Sequence, residues 1–311
     1  MTPSWLAPSV ALALALASLA AASRAPGEVD VGRGDFRAGE GEPARLVRGA
    51  PCNRAGTGRV VSAALLSDEL LLDTLPSSRL VGVSYVVDWK RSTPAYGRFP
   101  AAMARVSGAA EEVLLLEPES VVVSDYTSGA TEAQLASAGV CVLRVRAPRT
   151  FEDLFAEAEE LGLALSAEAA ASRVVQTARA RLATLASLPP PRARRALLVQ
   201  SPYAYGRRTL QDDCLRYAGL ENALTSDFAP TPTLSVERLA SVAPDVVFLA
   251  TDTEVPRPLR AAQRPRGAGF DQIAALERGA AFEIPASWMA SLSHHALDAC
   301  EAYAALARSV P

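Results

Sequence analysis

The sequence predicts an α/β protein of two lobes, each with a parallel sheet, joined by one long helix. Three observations support this fold class. Strand-like apolar runs alternate with helical patterns from Arg59 onward, one uninterrupted helical segment separates these runs into two groups, and a similar block of sequence occurs in each group. At 311 residues the chain has room for two domains of ordinary size.

The predicted strands are short runs rich in Val, Leu and Ile. In the first lobe, residues 59–165, they are 59–65, 79–85, 120–124 and 140–145; in the second lobe, residues 189–311, they are 195–201, 245–250 and 280–285. Because helical patterns separate successive strands, we expect neighbouring strands to run parallel.

A helix is predicted over residues 166–188. Ala, Leu, Arg and Glu dominate this segment, Ser166 can cap its start, and no Gly or Pro interrupts it before Pro189 ends it. Its 23 residues would span about 35 Å, which is long enough to run from one lobe to the other. The connection between the lobes is therefore expected to be stiff.

The block GAAEEVLLLEPESVVVS, residues 108–124, is similar to SVERLASVAPDVVFLA, residues 235–250. At a constant offset of 126 residues, Glu111 aligns with Glu237, and the apolar runs that follow them also align. This similarity indicates a diverged duplication. Each glutamate falls in the first turn of a short helix, where the helix dipole favours an ionised carboxylate.

The N-terminus predicts export. Residues 10–22 form an apolar run of signal-peptide length that ends in small residues, so we expect residues 1–22 to be a signal peptide. No basic residue precedes Arg24, which leaves an uncleaved membrane anchor as the alternative. Residues 23–58 are rich in Gly, Pro, Arg and acids and predict a disordered linker.

Composition and motifs exclude several functions. The net charge of −3 does not favour a nucleic-acid partner. The sequence has no GxSxG, GxxxxGK[ST] or HExxH motif, and no GxGxxG follows the first strand, so we predict no enzymatic activity, no cofactor and no dedicated metal centre. A small molecule and a protein are the expected partners.

Five blocks in order resemble one family, the periplasmic substrate-binding proteins of ABC importers for cobalamin and ferric siderophores. The blocks are RVVSAALLSDELLLDTL, RLVGVSYVVDW, AAEEVLLLEPESVVV, TLQDDCLRYAGLENAL and LSVERLASVAPDVVFLA, and the resemblance covers about residues 59–306. It implies two Rossmann-like lobes joined by a backbone helix, with the ligand in the cleft between them. A monomer that delivers a metal chelate to the membrane subunits of the permease is expected, with a corrinoid first, a ferric siderophore next and haem third.

The resemblance also implies that Glu111 and Glu237 match the family's two docking glutamates, which pair with permease arginines. A carboxylate and a guanidinium can pair bidentately, and one pair per lobe would fix the orientation of the docked protein. Two alternatives remain. Each glutamate could only cap its own helix, and Glu112 could take the place of Glu111 if the alignment slips by one residue.

Ligands of two-lobed α/β proteins bind outside the carboxyl ends of the strands. The loops at those ends contain the predicted ligand-binding residues: Trp89, Asp125, Tyr126, Tyr203, Tyr205, Arg207, Trp288 and His294. Aromatic faces with a few polar groups suit a large, partly apolar chelate. Local packing is the alternative for one of Tyr203 and Tyr205, a solvated surface is the alternative for Arg207, and a surface position instead of axial ligation of a metal is the alternative for His294.

The chain has four cysteines, Cys52, Cys141, Cys214 and Cys300, without a CxxC motif. An even number of widely spaced cysteines suits an exported protein with disulfide bonds. If each lobe is linked separately, Cys52 pairs with Cys141 and Cys214 with Cys300; buried free thiols are the alternative.

A zinc- or manganese-binding importer protein and a tethered sensor or adaptor remain alternative functions.

Overall fold

A computed structural model describes residues 56–201, 203–224, 242–259 and 273–310, together with residues 47–48, 52 and 232. The predicted signal peptide, most of the predicted linker and Glu237 lie outside the described residues. Within the described part of the chain, no helix is both long and apolar enough to cross a bilayer.

The first sheet has six strands in the order β1-β6-β5-β2-β3-β4. Its strands are β1 (Val47–Arg48), β2 (Val60–Ser62), β3 (Leu80–Ser84), β4 (Ala104–Val106), β5 (Ser120–Ser124) and β6 (Cys141–Val145). Strands β2 to β6 pair in parallel, and β1 pairs antiparallel with β6 at the edge. The carboxyl ends of the five parallel strands therefore lie along one edge of the sheet.

Helices cover this sheet and connect its strands. They are α1 (Leu65–Thr74), α2 (Ala110–Leu114), α3 (Gly129–Ser137) and α4 (Phe151–Ala164), with a 3-10 turn at Tyr85–Asp88. Helix α4 begins with a capping box, in which the Thr150 and Asp153 side chains each accept a bond from the other residue's backbone N–H. Its buried face is apolar, with Phe151, Leu154 and Phe155 in the core.

The second sheet has the order β11-β12-β10-β7-β8, with β9 also paired to β7. Its strands are β7 (Arg195–Gln200), β8 (Tyr203–Ala204), β9 (Glu221–Asn222), β10 (Val246–Thr251), β11 (Arg257–Pro258) and β12 (Ala281–Pro285). Strands β9, β7, β10 and β12 pair in parallel, whereas β8 and β11 are antiparallel at the edges.

One long helix, α5 (Glu168–Ala186), joins the two halves. It packs against α1 and α4 on one side and, on the other, against two helices of the second lobe, α6 (Leu210–Tyr217) and α9 (Leu297–Ser309). Its buried residues form a stripe at helical spacing: Ala171, Val175, Ala178, Leu182 and Leu185. The remaining helices of the second lobe are α7 (Ala274–Glu277), α8 (Ala286–Ala290) and a 3-10 turn at His294–Ala296.

The structure corrects the predicted start of α5. Ser166 does not cap this helix, because its φ of 52° places it in the left-handed region and Ala167 occupies the capping position without a side-chain bond. A tight turn joins α4 to α5 instead, in which the Ala167 N–H donates to the Gly162 carbonyl at 2.7 Å. The 19 residues of α5 span about 29 Å.

The first lobe also begins before Arg59, within the stretch predicted as a disordered linker. Residues 47–48 extend the sheet as β1, and Cys52 is bonded to Cys141 at the start of β6. The Gly56 N–H then donates to the Ala164 carbonyl at 2.8 Å. Composition favours disorder here, but sheet pairing attaches residues 47–48 to the lobe and a covalent bond attaches Cys52.

Both lobes contain a disulfide bond, Cys52–Cys141 in the first and Cys214–Cys300 in the second. The second bond connects α6 to α9, and both of its cysteines are buried. Removing it through Cys214→Ala with Cys300→Ala is expected to lower the free energy of unfolding by about 2–4 kcal/mol, because the unfolded chain loses a cross-link between residues 86 apart. Urea unfolding without reductant measures this loss; an unchanged midpoint would contradict the prediction.

Candidate functional site

Loops at the carboxyl edges of the two sheets contact each other, and we call the region between these edges the cleft. Lys90 and Arg91 follow the 3-10 turn at the end of β3, and Asp252 and Glu254 follow β10. Lys90 Nζ lies 2.7 Å from Glu254 Oε1, and Arg91 Nη1 lies 2.6 Å from Asp252 Oδ1. These ion pairs join loops of different lobes, so the loops that follow parallel strands, the usual ligand-binding places of such folds, converge between the lobes.

Exposed apolar and aromatic side chains occur in the segments that follow strands of both sheets. Of the seven large hydrophobic side chains that are exposed in the described residues, four follow strands of the two sheets: Tyr96, Tyr126, Tyr203 and Val255. Tyr126 is 60% exposed and Val255 62% exposed. Exposed apolar surface concentrated in one region is typical of a binding site.

Several predicted ligand residues lie at this edge with accessible side chains. Asp125, Tyr126, Tyr203 and Arg207 are exposed, and Trp89 is half-buried with its ring edge-on to Tyr85 at 5.4 Å between centroids. Burial raises the pKa of Asp125 above its ordinary value, although the nearby Arg146 guanidinium acts in the opposite direction. These side chains offer flat surfaces, a carboxylate and a cation to a ligand.

Three other predicted ligand residues make internal contacts. The Tyr205 hydroxyl donates to Gln200 Oε1 at 2.5 Å, and burial raises the pKa of this phenol. Trp288 on α8 packs against the hydrophobic core. His294 Nε2 lies 3.0 Å from Asp73 Oδ2, beside α5 rather than among the loops of the cleft. Asp73 is the ninth residue of α1, so it lies about 12 Å along this helix from its start at the cleft.

Sequence reasoning missed Tyr96 and the four residues of the inter-lobe ion pairs. The long segment between β3 and β4 was not divided into elements, so nothing singled out Tyr96 within it. The Arg105 guanidinium on β4 forms two bonds of 3.0 Å to the Asp88 carboxylate, which fixes the 3-10 turn that presents Lys90 and Arg91. A charged pair across two lobes has no signature in the sequence.

Buried polar contacts also join the lobes below the cleft. Ser291 Oγ donates to Glu69 Oε2 at 2.8 Å, and Ser293 Oγ donates to the same oxygen. Glu69 belongs to α1, and the two serines follow α8 in the second lobe. Together with the continuous apolar packing around α5, these bonds restrict separation of the lobes.

The two glutamates near the start of α2 have different partners. Glu112 Oε2 accepts a bond of 2.6 Å from the Ser107 N–H, which closes the start of its own helix. Glu111 is exposed and accepts a bond from Gln134 Nε2 of α3 at 3.0 Å, which lowers its pKa. Because α2 follows the carboxyl end of β4, Glu111 lies on the same side of the lobe as the cleft.

The family model for periplasmic binding proteins matches residues 60–281 of this chain. The chain belongs to the periplasmic binding protein family. The match covers more than two thirds of the sequence and includes strands of both sheets, so the resemblance given by the five sequence blocks is confirmed. A comparison with curated protein sequences found no match.

Solved structures show the same fold. The periplasmic haem-binding protein HutB of Vibrio cholerae aligns with a TM-score of 0.63 and 20% identity, over 81% of this chain and 99% of that protein. The vitamin B12-binding protein BtuF of Vibrio cholerae gives 0.62 and 18%, over 80% and 96%. A haem-binding protein from Pseudomonas aeruginosa gives 0.60 and 26%, over 81% and 94%. The predicted two-lobed α/β fold is thus confirmed.

Proposed function

We propose that this protein is the exported binding component of an ABC importer and that it captures a metal chelate in the cleft. The exposed tyrosines in the segments that follow strands of both lobes support this proposal most strongly. Tyr96 and Tyr126 belong to the first lobe and Tyr203 to the second, so a large ligand with flat faces could contact rings from both walls.

The chelate we favour is a macrocycle, either a corrinoid or haem, with a ferric siderophore as the third class. Structural relatives that bind haem and vitamin B12 support this choice. Arg207 is exposed at the same edge and could pair with a carboxylate at the ligand periphery. The lobe-bridging pairs of Lys90 and Arg91 would have to rearrange for a ligand of this size to enter.

Export to the periplasm is part of this proposal. The apolar run of residues 10–22 is of signal-peptide length, and two disulfide bonds suit an oxidising compartment.

We further propose that Glu111 and Glu237 dock the protein on the permease. Glu111 lies on the same side of the first lobe as the cleft. Pairing of Glu111 with a permease arginine would therefore turn the cleft toward the membrane subunits, which supports this role.

A thermal-shift panel of cobalamin, cobinamide, haem and several ferric siderophores tests the ligand class. A ligand present at about 100 times its Kd adds about 2.7 kcal/mol to the free energy of unfolding, which raises Tm measurably. We expect a corrinoid or haem to produce this shift. Absence of a shift with every member of the panel would contradict capture of a metal chelate.

Tyr126→Ala is expected to weaken binding of the ligand that the panel identifies by about tenfold or more. A large aromatic ring that a ligand covers typically supplies a large share of the binding free energy. Titration by fluorescence quenching measures the affinity. Leu163→Ala is the matched control, since Leu163 is also exposed but lies at the far end of α4 from the cleft. If the two variants had equal affinities for the ligand, Tyr126 would not be part of the binding site.

A further inference from the structure

The only two histidines of the chain meet one aspartate of the other lobe. His294 and His295 stack with ring centroids 4.2 Å apart, and the Nε2 atom of each lies 3.0 Å from Asp73 Oδ2. All three side chains are largely shielded, with exposures of 16%, 18% and 21%. The sequence separates Asp73 from His294 by 221 residues, so only the fold brings them together.

We propose that Asp73, His294 and His295 form a binding site for a divalent transition-metal ion, with Zn²⁺ as the ion that suits the donors best. Two imidazole nitrogens and one carboxylate oxygen are a preferred zinc ligand set. The three donor atoms lie within 4.8 Å of one another. Around tetrahedral Zn²⁺, with bonds of about 2.0–2.2 Å, donors are separated by about 3.3 Å. The two Nε2–Oδ2 distances of 3.0 Å are close to this separation, whereas the two Nε2 atoms, which lie within 4.8 Å of each other, would have to adjust to it.

The contacts of the Asp73 carboxylate leave one of its oxygens for an ion. The two oxygens are divided between partners, because Arg98 bonds Oδ1 whereas both imidazoles meet Oδ2. The Oδ2 atom thus lies beside both Nε2 atoms and is the oxygen available to an ion.

One cation contacts the donor atoms directly. Arg98 Nη1 lies 3.3 Å from His295 Nε2, so a bound metal would displace this contact. The Arg98 side chain is 46% exposed and can turn toward solvent. A second cation, Arg181, is already paired with Asp298 and Glu301 of α9. Arg98 is therefore the side chain expected to compete with the metal.

Space for further ligands lies next to the donors. A cavity of about 250 Å³ borders Asp73 and His294 and extends along Arg173 and Thr177 of α5. Three protein ligands leave a fourth position of a tetrahedral ion open, and a water molecule from this cavity could complete it. Since Asp73 belongs to the first lobe and the histidines to the second, the ion would link the lobes beside α5.

This inference does not depend on which chelate the cleft takes. The experiment uses the full chain without a histidine tag, treated with a chelator and then titrated with Zn²⁺ by calorimetry. One ion per chain is expected. Replacing Zn²⁺ with Co²⁺ should give the visible d–d absorption of a cobalt ion bound by nitrogen and oxygen. His294→Ala and His295→Ala should each weaken Zn²⁺ binding by about 100-fold or more, since loss of even an outer partner costs about 10- to 100-fold.

Glu277→Gln is the control, because Glu277 is an exposed acid of α7, a helix that packs against β10 and carries none of the three donors. Its Zn²⁺ affinity should equal that of the wild type. Arg98→Gln should bind Zn²⁺ more tightly, and this variant keeps the proposal testable if loss of a histidine disturbs folding. Absence of the Co²⁺ band, unchanged Zn²⁺ affinity in the histidine variants, or weaker binding by Arg98→Gln would each overturn the proposal.

Discussion

Glu111→Arg combined with Glu237→Arg is expected to abolish uptake of the bound nutrient while the ligand affinity of the isolated protein stays unchanged. Under the proposed docking mode, each carboxylate pairs with an arginine of the permease, so the two substitutions replace two attractions with two repulsions. Like charges placed opposite each other at an interface cost several kcal/mol. Growth on the chelate and direct calorimetry of the ligand measure the two properties separately.

The matched control reverses one exposed glutamate in each lobe away from the cleft. Glu159 lies in the second half of α4 and Glu277 at the end of α7, just before β12, so both lie toward the amino edges of the sheets. Glu159→Arg with Glu277→Arg should transport normally. If the docking variant also lost ligand affinity, or if it transported as well as this control, the two glutamates would have no docking role.

The contacts of α2 also separate Glu111 from its neighbour. Glu112 holds the Ser107 N–H, so its replacement should affect the start of α2, whereas Glu111 uses one oxygen for Gln134 and leaves the rest of its carboxylate toward solvent. A single Glu111→Arg substitution is therefore expected to reduce uptake more than Glu112→Arg does. The sequence alone could not distinguish these two adjacent acids.

The periodic features of the fold could be predicted from the sequence. Buried strands such as β5 and β10 are continuous apolar runs, and α5 is a long segment without Gly or Pro. Each of these elements can therefore be recognised from its own residues. The short edge strands β1, β8, β9 and β11 could not be predicted, because two residues carry no period. The start of α5 was misplaced because the Ala167 contact with Gly162 depends on how α4 and α5 pack.

The same distinction between local and long-range features applies to the candidate sites. Loops that follow strands could be located from the strand pattern, and this procedure identified Tyr126, Tyr203 and Arg207, which the structure leaves accessible. Contacts between the lobes join residues far apart in sequence, so neither the ion pair of Arg91 with Asp252 nor the approach of Asp73 to the histidines could be predicted. Their positions depend on how the two lobes pack together.

A buried acid in α1 provides the other large expected effect. Asp68 has no exposed surface and accepts hydrogen bonds from the Ser84 N–H and hydroxyl. Burial raises its pKa to about 8, although bonds from Ser62 and Ser84 act in the opposite direction. Because the folded pKa lies above the unfolded value of 3.8, the folded state holds one more proton between these limits. The free energy of unfolding therefore falls as pH rises through this window.

Asp68→Asn is expected to remove this pH dependence, because an amide of the same shape cannot ionise. From about pH 5 to about pH 7 the wild type should lose about 3 kcal/mol through this group, at about 1.4 kcal/mol per pH unit, whereas the variant should not. Urea unfolding at several pH values measures the difference between the two proteins, which also cancels the contribution of Glu157, another acid whose pKa burial raises to about 8. The exposed Glu159→Gln serves as control and should follow the wild type. A constant difference between Asp68→Asn and the wild type across this range would show that Asp68 is already ionised in the folded protein, held by its serine partners against the cost of burial.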